Sequence, residues 1–232
     1  MNDSTHVGSG AILEAADATI NSEARVIANF AWQHLKAATT FRDHLLAVES
    51  SHAGQPLGAF FVDIRSYGSA CIASTAGCLE GLINELFLDP NCGLQDRVPD
   101  FERVWADDLG RKKSALRKYQ LALGYCGKDK MHDTEVYRET GAIFSLRNAL
   151  IHFKPVWDVV GVQEPDYVTL LASKYTLSPF VDPHSDFVTM RTMSGRCMEW
   201  VIATAMRFIR EFDTRARLND QKMSQFWQFE TP

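Results

Sequence analysis

The stretch Ser145-Leu146-Arg147-Asn148-Ala149-Leu150-Ile151-His152-Phe153-Lys154-Pro155 gathers the residues of this chain best suited to chemistry. In a helix, at about 100° per residue, Asn148 and His152 share one face a turn apart. Arg147 and His152 stand about 140° apart around the axis. The arginine is long enough to curl back over that face, and it can equally act with the histidine of a second helix. These side chains suit a phosphate. A guanidinium is always charged and forks onto phosphate oxygens. An imidazole takes or gives a proton near neutral pH, and an amide orients either group. Together they could cleave RNA without a metal. The ribose 2′-hydroxyl loses its proton and attacks the adjacent phosphorus, Arg147 stabilises the added charge, and a proton passes to the 5′-oxygen leaving group. One histidine does not easily serve both sides of the phosphorus, so a two-fold dimer with two copies of His152 is chemically attractive. The plainer reading is a helix end, with His152 capping free carbonyls and Arg147 in a surface ion pair.

Other residues offer less. Glu80 and Asn84 stand four apart, with Glu85 adjacent. That spacing lets both face the Arg–His segment as supports, or leaves Glu80 exposed or paired with a nearby base. Arg111, Lys112, Lys113, Arg117 and Lys118 form a basic cluster, either an RNA-backbone contact or a solvated face. Trp200, with Met198 and Phe208, reads as core rather than as a base-stacking platform. His132, Asp133 and Glu135 lack metal-ligand spacing, and nothing around His184-Ser185-Asp186 makes Ser185 a nucleophile. No Gly-rich phosphate loop occurs. Neither a metal nor a cofactor is expected.

Five helices are predicted to position these residues. The first covers about Ala11 to Val48, with a bend allowed by its length. The second covers about Ala59 to Leu88, with Gly68, Ser69, Ala70, Ala73, Ser74, Ala76 and Gly77 at its centre. Small side chains there let another helix come close, so this is read as the central helix. The third covers about Pro99 to Leu123, with Asp100 near its start and Gly110 a candidate break. The fourth begins near Asp133, where Asp133-Thr134-Glu135 suits the positive end of a helix, and stops before Pro155. Residues 154–186, with four prolines, are irregular apart from a short helix about Tyr167 to Tyr175. The last helix covers about Phe187 to Arg217, its inner face carrying Met198, Ile202, Ala205, Ile209 and Phe212. The expectation is an all-α, up-and-down bundle of four to five main helices with an irregular segment before the last. Residues 1–10 are read as a flexible N-terminus, 11–217 as one helical domain and 218–232 as a tail.

The 232 residues suffice for one domain with a real core. A hydrophobic share of 46% and a charged share of 23% exclude a disordered or fibrous chain. A net charge of −5 gives no overall basic footprint for nucleic acid, although an enzyme needs only a local one. Five cysteines without a C-x-x-C pair give neither a disulfide framework nor a zinc site, and a reducing cytoplasm fits best. Met1 to Gly10 lacks the apolar core of a signal peptide. Charged residues interrupt or flank the most apolar stretch, Ile64 to Leu88, so no membrane span is expected.

With these elements in place, the end of the fourth helix resembles the signature of HEPN domains: Arg, a polar residue, three variable residues, then His. Arg147, Asn148 and His152 match it position by position, late in a helical bundle and near a helix end. The motif covers six residues, and the architecture is similar over residues 11–217. The resemblance implies a homodimer with both motifs in a composite cleft, Arg147 and His152 catalytic and Asn148 in support. It implies metal-independent endoribonuclease activity in many members, often in phage defence or in toxin–antitoxin pairs, with an antitoxin protein as a further partner. Other members bind nucleotide, RNA or a protein without turnover.

Overall fold

The computed structural model describes residues 30–154, 166–218 and 221–228. The part of the expected first helix before Phe30, and the Pro155 to Pro165 part of the irregular stretch, lie outside the described residues. Within them the chain is all-α: α1 (Ala31–Ser51), α2 (Phe61–Leu88), α3 (Phe101–Val104), α4 (Gly110–Lys112), α5 (Ala115–Tyr125), α6 (Glu135–Ile151), α7 (Asp166–Ala172), α8 (Gly195–Ala216) and α9 (Gln221–Trp227).

Helix α2 is the centre, packed by α1, α5, α6 and α8. Its buried side includes Ile64, Cys71, Ile72, Leu79, Leu82, Ile83 and Leu86. It is long and apolar enough to cross a bilayer, with a window of mean hydropathy 1.3, but 56% of that window is buried inside the protein. Its small residues do what their size predicts. α1 lies antiparallel against it, with Ala31 on Gly81, the His34 ring on Gly77 and Leu45 on Gly68. Phe30 at the start of α1 has no side-chain cap. Instead Glu85, near the end of α2, accepts from Phe30 N at 2.7 Å and Ala31 N at 2.9 Å. Two otherwise orphaned donors are satisfied, and the two helix ends are tied together.

Tyr119 fastens α5 to the centre. It is fully buried, donates to the Leu79 carbonyl at 2.8 Å, and meets Phe208 and Phe212 edge-on, each at 4.8 Å. Cys71, Cys78, Cys92 and Cys197 are buried and unbridged. Burial pushes the Cys71 thiol up to about 12, so it behaves as a small apolar residue.

Three elements depart from expectation. The third helix is not one rod. It runs through a π-helical turn, Trp105–Leu109, passes Gly110, and breaks at Lys113 and Ser114. Gly110 is the residue the wide turn needs, since a Cβ there would come within 2.8 Å of the Trp105 carbonyl oxygen. Ser114 ends the rod because its extended backbone starts α5, with Oγ accepting from Arg117 N. The last helix divides likewise. A π-helical turn, Phe187–Arg191, precedes Ser194, which caps α8 by accepting from Cys197 N at 3.2 Å. Beyond Arg217 the stretch read as a tail carries α9, whose buried Phe226 meets Trp32 of α1 edge-on at 5.6 Å.

Candidate functional site

The end of α6 lies against the small-residue side of α2. Thr134 caps the start of α6 by accepting from Tyr137 N at 3.3 Å. Buried Ala142, Ile143 and Leu146 then fix which way the last turns face. Arg147 falls at the edge of that packed side. Its Nη2 donates to Glu80 Oε2 at 3.4 Å, and its guanidinium lies 5.8 Å from the Phe144 ring centre. Below it is a groove of about 290 Å³ lined by Ser69, Ala70, Ala73, Arg147, Leu150 and Ile151. The groove is open because α2 presents only a hydroxyl and two methyls there. A second hollow of about 170 Å³ shares Ser69 and Leu150 and carries on to Arg65, Phe153, Thr189 and Met193. An arginine therefore stands over each of two adjoining hollows, the first mainly apolar and the second more polar. Ile151 and Phe153, at 57% and 45% exposed, form an uncovered rim.

Asn148 and His152 are both exposed. They keep the shared face their spacing dictates, while Arg147 turns into the groove, so within one chain His152 does not line it. His152 occupies the C-cap position, where its backbone N–H bonds the Asn148 carbonyl at 2.9 Å. Its imidazole makes no hydrogen bond among the described residues. The ring is thus not the cap that the plainer reading of this helix end supposes.

Glu80 and Asn84 have parted roles. Glu80 holds Arg147, whereas Asn84, one turn on, accepts from Lys118 Nζ at 2.7 Å. Lys118 corrects a sequence expectation. It is 2% exposed, its ammonium also donating to the Gly110 carbonyl at 3.1 Å and lying 5.2 Å from the Trp105 ring centre. It is a buried strut between α5, α4 and α2, not an RNA-backbone contact. Burial holds its ammonium below the usual lysine range, with Glu80 partly opposing that shift. Of the remaining basic cluster, Lys112 and Arg117 are exposed and Lys113 pairs with Asp108 at 3.0 Å. Arg111 lies in α4.

The sequence reading did not single out Arg65, Ser69 or Leu150. Their signal was present: residues 65, 69 and 73 recur at one-turn spacing on α2, so they share one face. A larger hollow of about 630 Å³, lined by Val136, Arg207, Arg210, Glu211, Thr214 and Arg215, offers less chemistry. Arg207 is committed to the buried carboxylate of Glu139, which also holds Lys174 at 2.7 Å, and Arg215 is committed to Glu211. Among the described residues no three His, Cys, Asp or Glu side chains converge as metal ligands would. Comparison of the chain with family models, with curated proteins and with solved structures finds no match.

Proposed function

We propose that this chain is a metal-independent endoribonuclease of HEPN type, acting as a homodimer, with Arg147 and His152 catalytic and Asn148 in support. The observation that carries the reading is the state of the three side chains. Arg147 is held by Glu80 in an open groove, while His152 and Asn148, a short step along the same helix, face solvent. The uncovered Ile151 and Phe153 supply apolar surface for a two-fold partner at this helix end. That partner would bring its own His152 toward the groove that this chain's His152 does not line. In the reaction Arg147 neutralises charge growing on the phosphorane oxygens, an imidazole takes the 2′-hydroxyl proton, and a second imidazole protonates the 5′-oxygen. The products are a 2′,3′-cyclic phosphate and a 5′-hydroxyl. A role in phage defence or a toxin–antitoxin pair belongs to the same reading.

A binding module without turnover is the second reading. It is favoured by Glu80, which answers the Arg147 charge and leaves the groove largely apolar. Cleavage of pooled RNA in EDTA, comparing wild type with His152→Ala and Arg147→Ala, separates the two. The nuclease reading expects cyclic phosphate ends from wild type and a loss of about 10²-fold or more in each variant. A folded dimer that cleaves nothing, or variants that cleave as fast as wild type, would refute it.

A further inference from the structure

We propose that α1 and α6 hold a ribonucleotide-binding subsite within one chain, with Phe30 taking a base, His34 the ribose 2′-hydroxyl and Arg147 the phosphate, across a floor formed by Ala73 and Gly77. The proposal rests on the ribonuclease reading for its chemistry and names where that reaction's first proton goes.

Three observations place these groups together. The His34 ring lies flat on Gly77, its Cγ, Nδ1 and Cδ2 all 3.4 Å from where a Cβ would stand. The Arg147 guanidinium reaches Glu80, three residues further along α2, and lines the groove over Ala73, one turn before. Both side chains therefore stand over neighbouring turns of α2, within about 4.5–6 Å of axial rise, one from each flanking helix. Between them Ala73 and Gly77 carry nothing larger than a methyl, with the Glu80 carboxylate at the edge holding Arg147, so a sugar and its phosphate can approach the helix backbone there. Beside His34 lies Phe30, with ring centres 6.5 Å apart, planes tilted by 47° and 61% of the residue exposed. An exposed aromatic next to an imidazole and across from a guanidinium matches base stacking followed by the sugar–phosphate unit. Phe30 is held there by the Glu85 carboxylate, which accepts from its backbone N–H.

The chemistry then balances. His34 accepts the proton from O2′, the O2′–P bond forms, the P–O5′ bond breaks, and O5′ takes a proton from His152 of the partner subunit. His34 is then the base and His152 the acid, which accounts for two imidazoles per phosphorus.

The test uses the full chain and two probes of the same mixed sequence: an octaribonucleotide, followed for cleavage, and its 2′-O-methyl analogue, which cannot be cleaved, followed by histidine Cε1–H NMR signals. His34→Gln should lower kcat by about 10²-fold or more and remove the acidic limb of the pH–rate profile. Phe30→Ala should weaken binding of the methylated probe by about tenfold. The His34 signal should shift as that probe is added. Wild-type cleavage with the His34→Gln rate and pH profile unchanged overturns the subsite and leaves the nuclease reading standing. No cleavage, but a His34 shift lost in Arg147→Ala, overturns the nuclease reading and supports the subsite as a binding site. No cleavage and no His34 shift overturns both.

Discussion

Gly195 sits at the first turn of α8, directly beneath α1. A Cβ added there would overlap Leu46 Cδ2, come within 2.7 Å of Glu49 Oε2 and within 3.0 Å of Leu46 Cγ. Turning χ2 of the leucine moves Cδ2 but not Cγ, so full relief needs a change of χ1 or a small shift of α1. Gly195→Ala should therefore cost about 1–3 kcal/mol in overpacking. It should also weaken the bond from Gly195 N to Glu49 Oε1, now 3.0 Å, a charge-assisted contact typically contributing about 1.5–3 kcal/mol. Against this, alanine gains at most about 1 kcal/mol of helix propensity, and less in a first turn. The net loss is about 2–4 kcal/mol, or a fall in Tm of roughly 4–15 °C for a chain of this size. Thermal unfolding followed by far-ultraviolet circular dichroism measures it. The mechanism is tested by adding Leu46→Ala, which removes the atoms that clash. The double variant should be at least about 1 kcal/mol more stable than the sum of the single effects. A Gly195→Ala melt within about 2 °C of wild type, or strict additivity, would refute the claim that α1 and α8 meet through this glycine.

Two further perturbations bear on the same frame. Glu49 is held above the usual carboxylate range by burial first, with Glu199 acting in the same direction and the Gly195 N–H and Arg196 opposing. A raised folded pKa gives stability that is complete below the unfolded value and lost as pH rises through the folded one. Glu49→Gln keeps an oxygen for Gly195 but does not titrate, so its Tm relative to wild type should climb from pH 4 to pH 7; a difference flat in pH would sink this. Glu85→Ala removes the acceptor from Phe30 N and Ala31 N and should cost about 1–2 kcal/mol, with faster hydrogen exchange over the first turn of α1 and not elsewhere. Unchanged exchange there would mean the carboxylate caps nothing.

The class of fold was legible because apolar positions recur at helical spacing, and the same pattern located the core. Met198, Ile202, Ala205, Ile209 and Phe212, chosen on spacing alone, are all fully buried along α8. The breaks were legible in principle but outweighed by apolar continuity. Ser114 and Ser194 are each N-caps written in the sequence, yet the hydrophobic pattern runs on through both and suggests one long rod. Of the two π-helical turns, the first is marked by Gly110, where the sequence allowed a break, while the second, Phe187–Arg191, leaves no such mark.

The candidate site was legible only along single helices. Spacing put Asn148 and His152 on one face, and both are exposed there; Arg147, read as long enough to curl back over that face, turns instead to Glu80 and the groove. Partners far apart in sequence were not: Asn84 and Lys118 meet from 34 positions apart. Lys118 hid within a run of bases whose charge suggested solvent. Its place three residues after Ala115 and four before Ala122, both buried, was the contrary signal. Periodicity should have prevailed over charge there, because a long side chain can carry its ammonium to an internal carbonyl.

The small residues of α2 show why size alone does not assign function. Gly77 and Gly81 admit α1 to contact distance, as expected of glycines in a central helix. Ser69, Ala70 and Ala73 are just as small, yet the end of α6 stands off them, and they become the floor of the groove instead. What separates the two sets is position along α2 more than direction around it, since Ala73 and Gly77 are only about 40° apart: residues 77 and 81 meet the start of α1, and residues 69, 70 and 73 the end of α6. There Leu150 is only part-buried and α6 ends at Ile151, so among the described residues no further side chain arrives to fill the space. A small residue states that room exists. The length and ending of the neighbouring helix decide whether that room is packed or left open to a ligand, and at Arg147 it is left open.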